Sequence, residues 1–171
     1  MGLLSWLFLI PLLTGLCVIL TPSVRSIRWI SLIGTFTHLL LTGFVAWKFW
    51  NLGLTNGGLQ MIERLDWFPQ MGIQYLLGID GISLTMVILT SIIIFTGVLA
   101  SWKVENRARE FFALLLILVS GVFGVFVSFD LFLFFVFYEV AVLPMYLLIG
   151  ICGTGPKEYS AMKLTLMLMV G

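Results

Sequence analysis

The chain has 171 residues, 61% of them hydrophobic and only 10% charged, with a mean hydropathy of +1.16 and a formal net charge of +1. Soluble domains are about 45–50% apolar and about 25% charged. The balance therefore excludes an ordinary soluble domain, and so small a net charge points to no nucleic-acid partner.

A helix that spans a bilayer needs about 20 mostly apolar residues. Five segments meet that requirement, roughly 3–21, 28–50, 79–101, 111–129 and 131–151, and a sixth opens at 157–171. The predicted fold is all-α: a polytopic transmembrane helix bundle of five full helices plus the start of a sixth. The first segment, MGLLSWLFLIPLLTGLCVILTPSVRS, has no positive n-region and no A-x-A site. It reads as a retained helix, not a cleaved signal. TPSVRSIR joins the first two helices, and a long outer loop, 51–78, joins the second and third. In that loop Met71, Ile73 and Tyr75 alternate with Gly72 and Gln74, which predicts a short strand. A small hairpin on the membrane surface fits, with Trp67 and Phe68 at headgroup level. WKVENRARE joins the third and fourth helices, and SFD makes a tight corner into the fifth. GTGPKEY leads to the sixth, where Pro156 suits the first helical position because its missing N–H is not needed there.

Lysine and arginine set the expected orientation. Arg25, Arg28, Lys103, Arg107, Arg109, Lys157 and Lys163 fall on one side, whereas Lys48 and Arg64 fall on the other. The richer side is taken as cytoplasmic, so the N-terminus is expected outside a bacterial inner membrane. The chain ends in LTLMLMVG, within an apolar helix. The 16 residues from Pro156 to Gly171 extend about 24 Å. That is short of the ~30 Å hydrocarbon core, so a chain truncated in its sixth helix is expected.

One residue carries most of the chemical interest. Glu139 is the only charge between Leu131 and Ile151. Asp130 is placed to cap that helix, and Glu139 lies nine residues further, about 13 Å deep. A charged side chain at the centre of a spanning helix costs about 2.5–3.5 kcal/mol on insertion scales, and such residues mark ion or proton routes. Pro144 lacks an N–H, so the Val140 carbonyl loses its partner one residue from Glu139. Carboxylate and bare carbonyl together suit a water-holding niche, with Tyr146 two turns away on the same face. The alternative is a structural glutamate, neutral or bonded to a neighbouring helix.

Lys163 either snorkels to the headgroups or faces inward as a relay. His38, near the centre of the second helix, either relays protons or is neutral, bonded to a backbone carbonyl or facing lipid. Asp80 reads as a cap of the third helix. Cys17 and Cys152 read as small apolar filler, with no disulfide or metal spacing. No phosphate loop, nucleophile triad or redox-centre ligand set is present in the sequence.

The stretch DLFLFFVFYEVAVLPMYLLIGICG, 130–153, resembles the antiporter-like membrane subunits of respiratory complex I, the proton-translocating NADH:quinone oxidoreductase, and among them the chain M (chain 4) branch. LLGIDGISLTMVILTSIIIFTGVLASWK and LSWLFLIPLLTG extend the resemblance over nearly the whole chain. It implies the N-terminal part of an antiporter-like domain of about fourteen helices. It also implies that Glu139 is the fifth-helix glutamate of the proton pathway, pairing with a lysine on a seventh helix. Lys163 matches a lysine early in the sixth. The resemblance implies no cofactor in this chain; NADH, FMN, iron–sulfur clusters and quinone belong to other subunits, and the partners are those membrane subunits and the lipid bilayer. The rival readings are a subunit of a multisubunit cation/proton antiporter or membrane-bound hydrogenase, and a non-transporting truncated scaffold.

Overall fold

A computed structural model describes residues 2–51, 58–68, 70, 72–105, 107–153, 155 and 157–170, without the side chains of Phe68, Lys157, Met169 and Val170. Among the described residues the elements in chain order are α1 (Ser5–Leu20), α2 (Val24–Asn51), β1 (Gln60–Phe68), β2 (Ile73–Ile79), α3 (Gly81–Ala100), α4 (Ala108–Val127), α5 (Leu131–Cys152) and α6 (Lys157–Val170). The all-α bundle with a small hairpin is the architecture read from the sequence. α2, α3, α4 and α5 are long and apolar enough to cross a membrane. α1 is shorter, at 16 residues or about 24 Å.

Two boundaries differ from the sequence reading. VRSIR, expected in a loop, forms the first turns of α2, and the Ile27 amide donates to the Ser23 carbonyl at 2.9 Å. Once Pro22 is passed nothing in that stretch breaks a helix, so the connection shrinks to 21–23. The hairpin is also longer than the strand expected around Met71, which itself lies outside the described residues, as do Pro156 and Gly171. β1 and β2 pair antiparallel, with Glu63 opposite Leu77 and Leu65 opposite Tyr75. The hairpin does not merely lie on the surface. Leu77 and Ile79, at the end of β2, are fully buried in the core of the bundle. Trp67 is exposed and meets the Phe132 ring edge-on at 6.3 Å, while the Phe68 side chain lies outside the described ones.

Two aspartates start their helices as expected. Asp80 accepts from the Ser83 amide at 2.7 Å, and Asp130 accepts from the amides of Phe132 at 3.0 Å and Leu133 at 3.1 Å. The Ser83 amide holds the Asp80 carboxyl below the ordinary carboxylate range. Asp130 also ties the corner to the hairpin. Its second oxygen accepts from the Gln74 amide at 3.3 Å, and the Phe129 amide donates to the Leu76 carbonyl at 2.9 Å.

α4 is the most enclosed helix, burying Phe112, Leu116 and Phe123. Two glycines lie at its contact with α5. A Cβ on Gly121 would fall 2.5 Å from the Ala141 amide nitrogen and 2.9 Å from the Phe137 carbonyl oxygen, and one on Gly124 would overlap the Phe137 ring. Close backbone approach through small residues is how helices associate where no water drives them together. Gly121→Val should force α4 from α5, because the obstructing atoms are backbone and cannot rotate away. The expected cost is about 1–3 kcal/mol or more, seen as earlier thermal unfolding in detergent; an unchanged transition would show that the contact is not tight.

Candidate functional site

Glu139 is carried by a helix whose start and packing are both fixed. Asp130 caps α5, and Phe137, two residues before Glu139, is buried against Gly124 of α4 and the Phe8 ring of α1 at 4.8 Å. Glu139 itself is half-buried, at the border between a face that buries Leu133, Phe137 and Pro144 and a face that exposes Phe135, Leu143 and Tyr146. Among the described residues its carboxylate has no hydrogen bond and no ion pair. Pro144 lies inside α5, buried, where it deprives the Val140 carbonyl of its amide. The carboxylate and the freed carbonyl are thus on the same turn, as expected, with no described side chain of opposite charge bonded to the glutamate.

Lys163 is exposed on α6 and is not bonded to Glu139. The Tyr138 hydroxyl of α5 donates to the Leu168 carbonyl of α6 at 2.7 Å. Lys163 is five residues from Leu168, or about 7.5 Å along the axis of α6. Glu139, Val140 and Pro144 share neighbouring turns of α5, and no ion pair joins Lys163 to Glu139 among the described residues.

His38 takes up one of the alternatives left open for it. It is buried, and its Nε2 lies 2.8 Å from the Leu7 carbonyl and its Nδ1 3.2 Å from Ser91 Oγ. On the charged face that holds Arg28, its Nη2 donates to the Val104 carbonyl at 3.2 Å and approaches Glu105 at 3.7 Å.

Sequence reasoning missed a second carboxylate. Glu63 of β1 reaches the start of α1, sixty residues earlier in the chain. One oxygen accepts from the Leu4 amide at 2.5 Å; the other accepts from the Gly2 amide at 3.1 Å and from Ser5 Oγ at 2.7 Å. Ser5 Oγ is also 2.8 Å from the Tyr75 hydroxyl of β2. A helix start presents unpaired N–H groups and a partial positive charge, so an anion there is stabilising. No local sequence signal marks this cap, because its acceptor comes from another element. Burial raises the Tyr75 phenol above its ordinary range; the Ser5 hydrogen bond opposes this in part, and the Glu63 charge adds a lesser push upward.

Two outcomes follow for this clamp. Glu63→Ala should leave the Gly2 and Leu4 amides, just ahead of α1, without their acceptor and cost about 1–3 kcal/mol, measured as loss of thermal stability. Tyr75 binds its proton more tightly folded than unfolded. Its contribution should therefore be intact below pH 10 and fade as pH rises through the raised folded value. Wild type should then lose more stability than Tyr75→Phe in alkali; equal losses would contradict the burial of the phenol.

The chain is 35% identical over 166 residues, 95% of its length, to NAD(P)H-quinone oxidoreductase chain 4 2 of Microcystis aeruginosa. It is similar in fold to a chain of respiratory complex I from Thermus thermophilus, with a TM-score of 0.80 at 22% identity over 98% of this chain and 33% of that one. It is similar too to a chain of the membrane-bound sulfane sulfur reductase, an archaeal respiratory membrane complex, with a TM-score of 0.72 at 21% identity over 98% of this chain and 33% of the other. The chain spans 30% of the length of the curated relative. No family model matches. The resemblance to complex I membrane subunits is borne out, and with it a multi-pass membrane protein.

Proposed function

We propose that the chain is part of a proton-translocating subunit in the membrane arm of an NADH:quinone oxidoreductase, with Glu139 in the proton pathway. The observation that carries this reading is the lone carboxylate within α5, half-buried beside the carbonyl freed by Pro144 and without an ion-pair partner among the described residues. A charged group kept at such a depth against its insertion cost marks a proton or ion route by default. The chain 4 relatives support assigning that route to an NAD(P)H-quinone oxidoreductase.

The proposed chemistry is proton holding and release. Loss of water favours the neutral form of a carboxyl group, and a nearby cation favours the charged form. A lysine that approaches and withdraws would therefore unload and load Glu139. That lysine belongs to a seventh helix beyond these 171 residues, and Lys163 is the candidate relay on the cytoplasmic side. This chain carries out no redox step. NADH, FMN, iron–sulfur clusters and quinone sit in other subunits, which are its partners. Residues 1–171 form the N-terminal part of the antiporter-like domain, with 51–78 as the outer loop and the N-terminus outside a bacterial inner membrane.

A second reading is supported by the sulfane sulfur reductase likeness: the same fold serving a sister membrane complex. Sodium dependence of transport would favour that reading.

The test is Glu139→Gln in the full-length subunit, within the whole complex in liposomes. The rate of proton pumping should fall by roughly tenfold or more, since a positioned acid–base group contributes about 10²–10⁴-fold to the rate of a proton transfer. Normal pumping by an assembled Gln variant would overturn the role of Glu139.

A further inference from the structure

Pro11 lies inside α1, with its ring buried. A proline within a helix has no N–H to give to the carbonyl four residues earlier. In α1 that carbonyl belongs to Leu7. It is the same carbonyl that His38 approaches at 2.8 Å from α2. The next carbonyl, that of Phe8, accepts from Ser120 Oγ of α4 at 2.7 Å. Side chains from two neighbouring helices thus take up the carbonyls just ahead of the proline.

We propose that His38 is a positioning residue, whose Nε2–H stands in for the amide that Pro11 lacks and thereby fixes α1 against α2 and α3. A carbonyl oxygen only accepts, so Nε2 must carry the hydrogen. In the neutral ring Nδ1 is then an acceptor, and Ser91 Oγ donates to it across 3.2 Å. Both nitrogens are satisfied, and the tautomer is determined by its partners. The Phe123 ring of α4 packs on the imidazole with centroids 4.2 Å apart, which holds its plane. α1 and α3 carry no Asp, Glu, Lys, Arg or His, and the charges of α4, Arg109 and Glu110, lie in its first turn. No charged side chain on these three helices therefore stands at the level of His38 to serve as its counter-ion. The ring acts as a neutral donor and acceptor joining three helices, not as a proton carrier.

The consequence reaches α5. Phe8, whose backbone is held by Ser120, packs its ring on Phe137, two residues from Glu139. The repaired break in α1 thus supports the helix that carries Glu139, a clause that rests on the proposed role of that glutamate. The pairing of Pro11 with His38 does not rest on it.

The test is a double-mutant cycle in the full-length subunit, read as assembled complex surviving a heat challenge in native membranes. His38→Leu should lower that amount by about tenfold, as expected for one buried carbonyl left without a donor. His38→Gln, which can still donate an N–H, should lower it much less. Pro11→Ala restores the amide at residue 11, so His38→Leu combined with Pro11→Ala should recover most of the loss. The pH profile of proton pumping by His38→Gln should match wild type. Failure of Pro11→Ala to rescue His38→Leu would overturn the proposal. So would a Gln variant as heat-labile as Leu, or a well-assembled Gln variant with a displaced pH profile. The heat readout does not involve Glu139, so this proposal and the proton-pathway reading can fail separately.

Discussion

Backbone amides and carbonyls inside a bilayer have no water to turn to, and each one must find a partner within the protein. Most of this chain meets that demand by being helical. The exceptions organise the rest of the structure. Pro11 and Pro144 each remove one amide from the interior of a helix. The first break is closed from outside α1, by His38. The second lies beside Glu139. One chemical event, a missing N–H, thus serves in two ways: it binds helices together in the first case, and in the second it exposes an acceptor next to a carboxylate. Hydroxyls play a smaller part in the same economy of donors. Thr35 and Thr42 on the buried face of α2 donate to the carbonyls of Ser31 and His38, four residues back, at 2.8 and 3.0 Å. Their hydroxyls are therefore tolerated in the interior without a partner helix.

The hairpin meets the same demand where the helices begin. Helix starts carry unpaired amides. Asp80 and Asp130 serve α3 and α5 locally, but α1 has no such residue at its start, where Leu4 offers no side-chain acceptor. Glu63 instead holds the chain entering α1 from β1, through the Gly2 and Leu4 amides and the Ser5 hydroxyl. Because β2 bonds to the corner before α5 and leads into α3, one two-stranded element joins the starts of α1, α3 and α5. The cap of α1 and the cap of α5 are therefore coupled through the ladder between Glu63 and Leu77.

The division between what was legible and what was not follows the range of the interactions. Helix positions came through within a few residues, because apolar length and helix-breaking residues are local properties. The Asp80 and Asp130 caps were legible for the same reason: the acceptor and its amides are two or three residues apart. The polar groups that cross the fold were not. Glu63 and Leu4 are 59 residues apart and Ser120 and Phe8 are 112 apart, so no local pattern pairs them. His38 was half-legible. A central histidine bonded to a carbonyl was among the expected readings, but which carbonyl depends on the register of α1 against α2.

Glu139 shows the same limit at the candidate site. Its depth and its adjacency to the Val140 carbonyl follow from counting along one helix, and both were legible. Its partner is a matter of which helix comes next to it. α4 covers one side of α5 closely: a Cβ on Gly121 would meet the α5 backbone, and one on Gly124 the Phe137 ring. A counter-ion cannot enter from the α4 side at those contacts. In the proposed pathway a counter-ion would approach from the face that exposes Phe135, Leu143 and Tyr146, or from α6, where Lys163 is exposed. The tight packing of α4 on α5 thus does more than hold the bundle. In the proposed pathway it would restrict the directions from which the electrostatic environment of Glu139 can change.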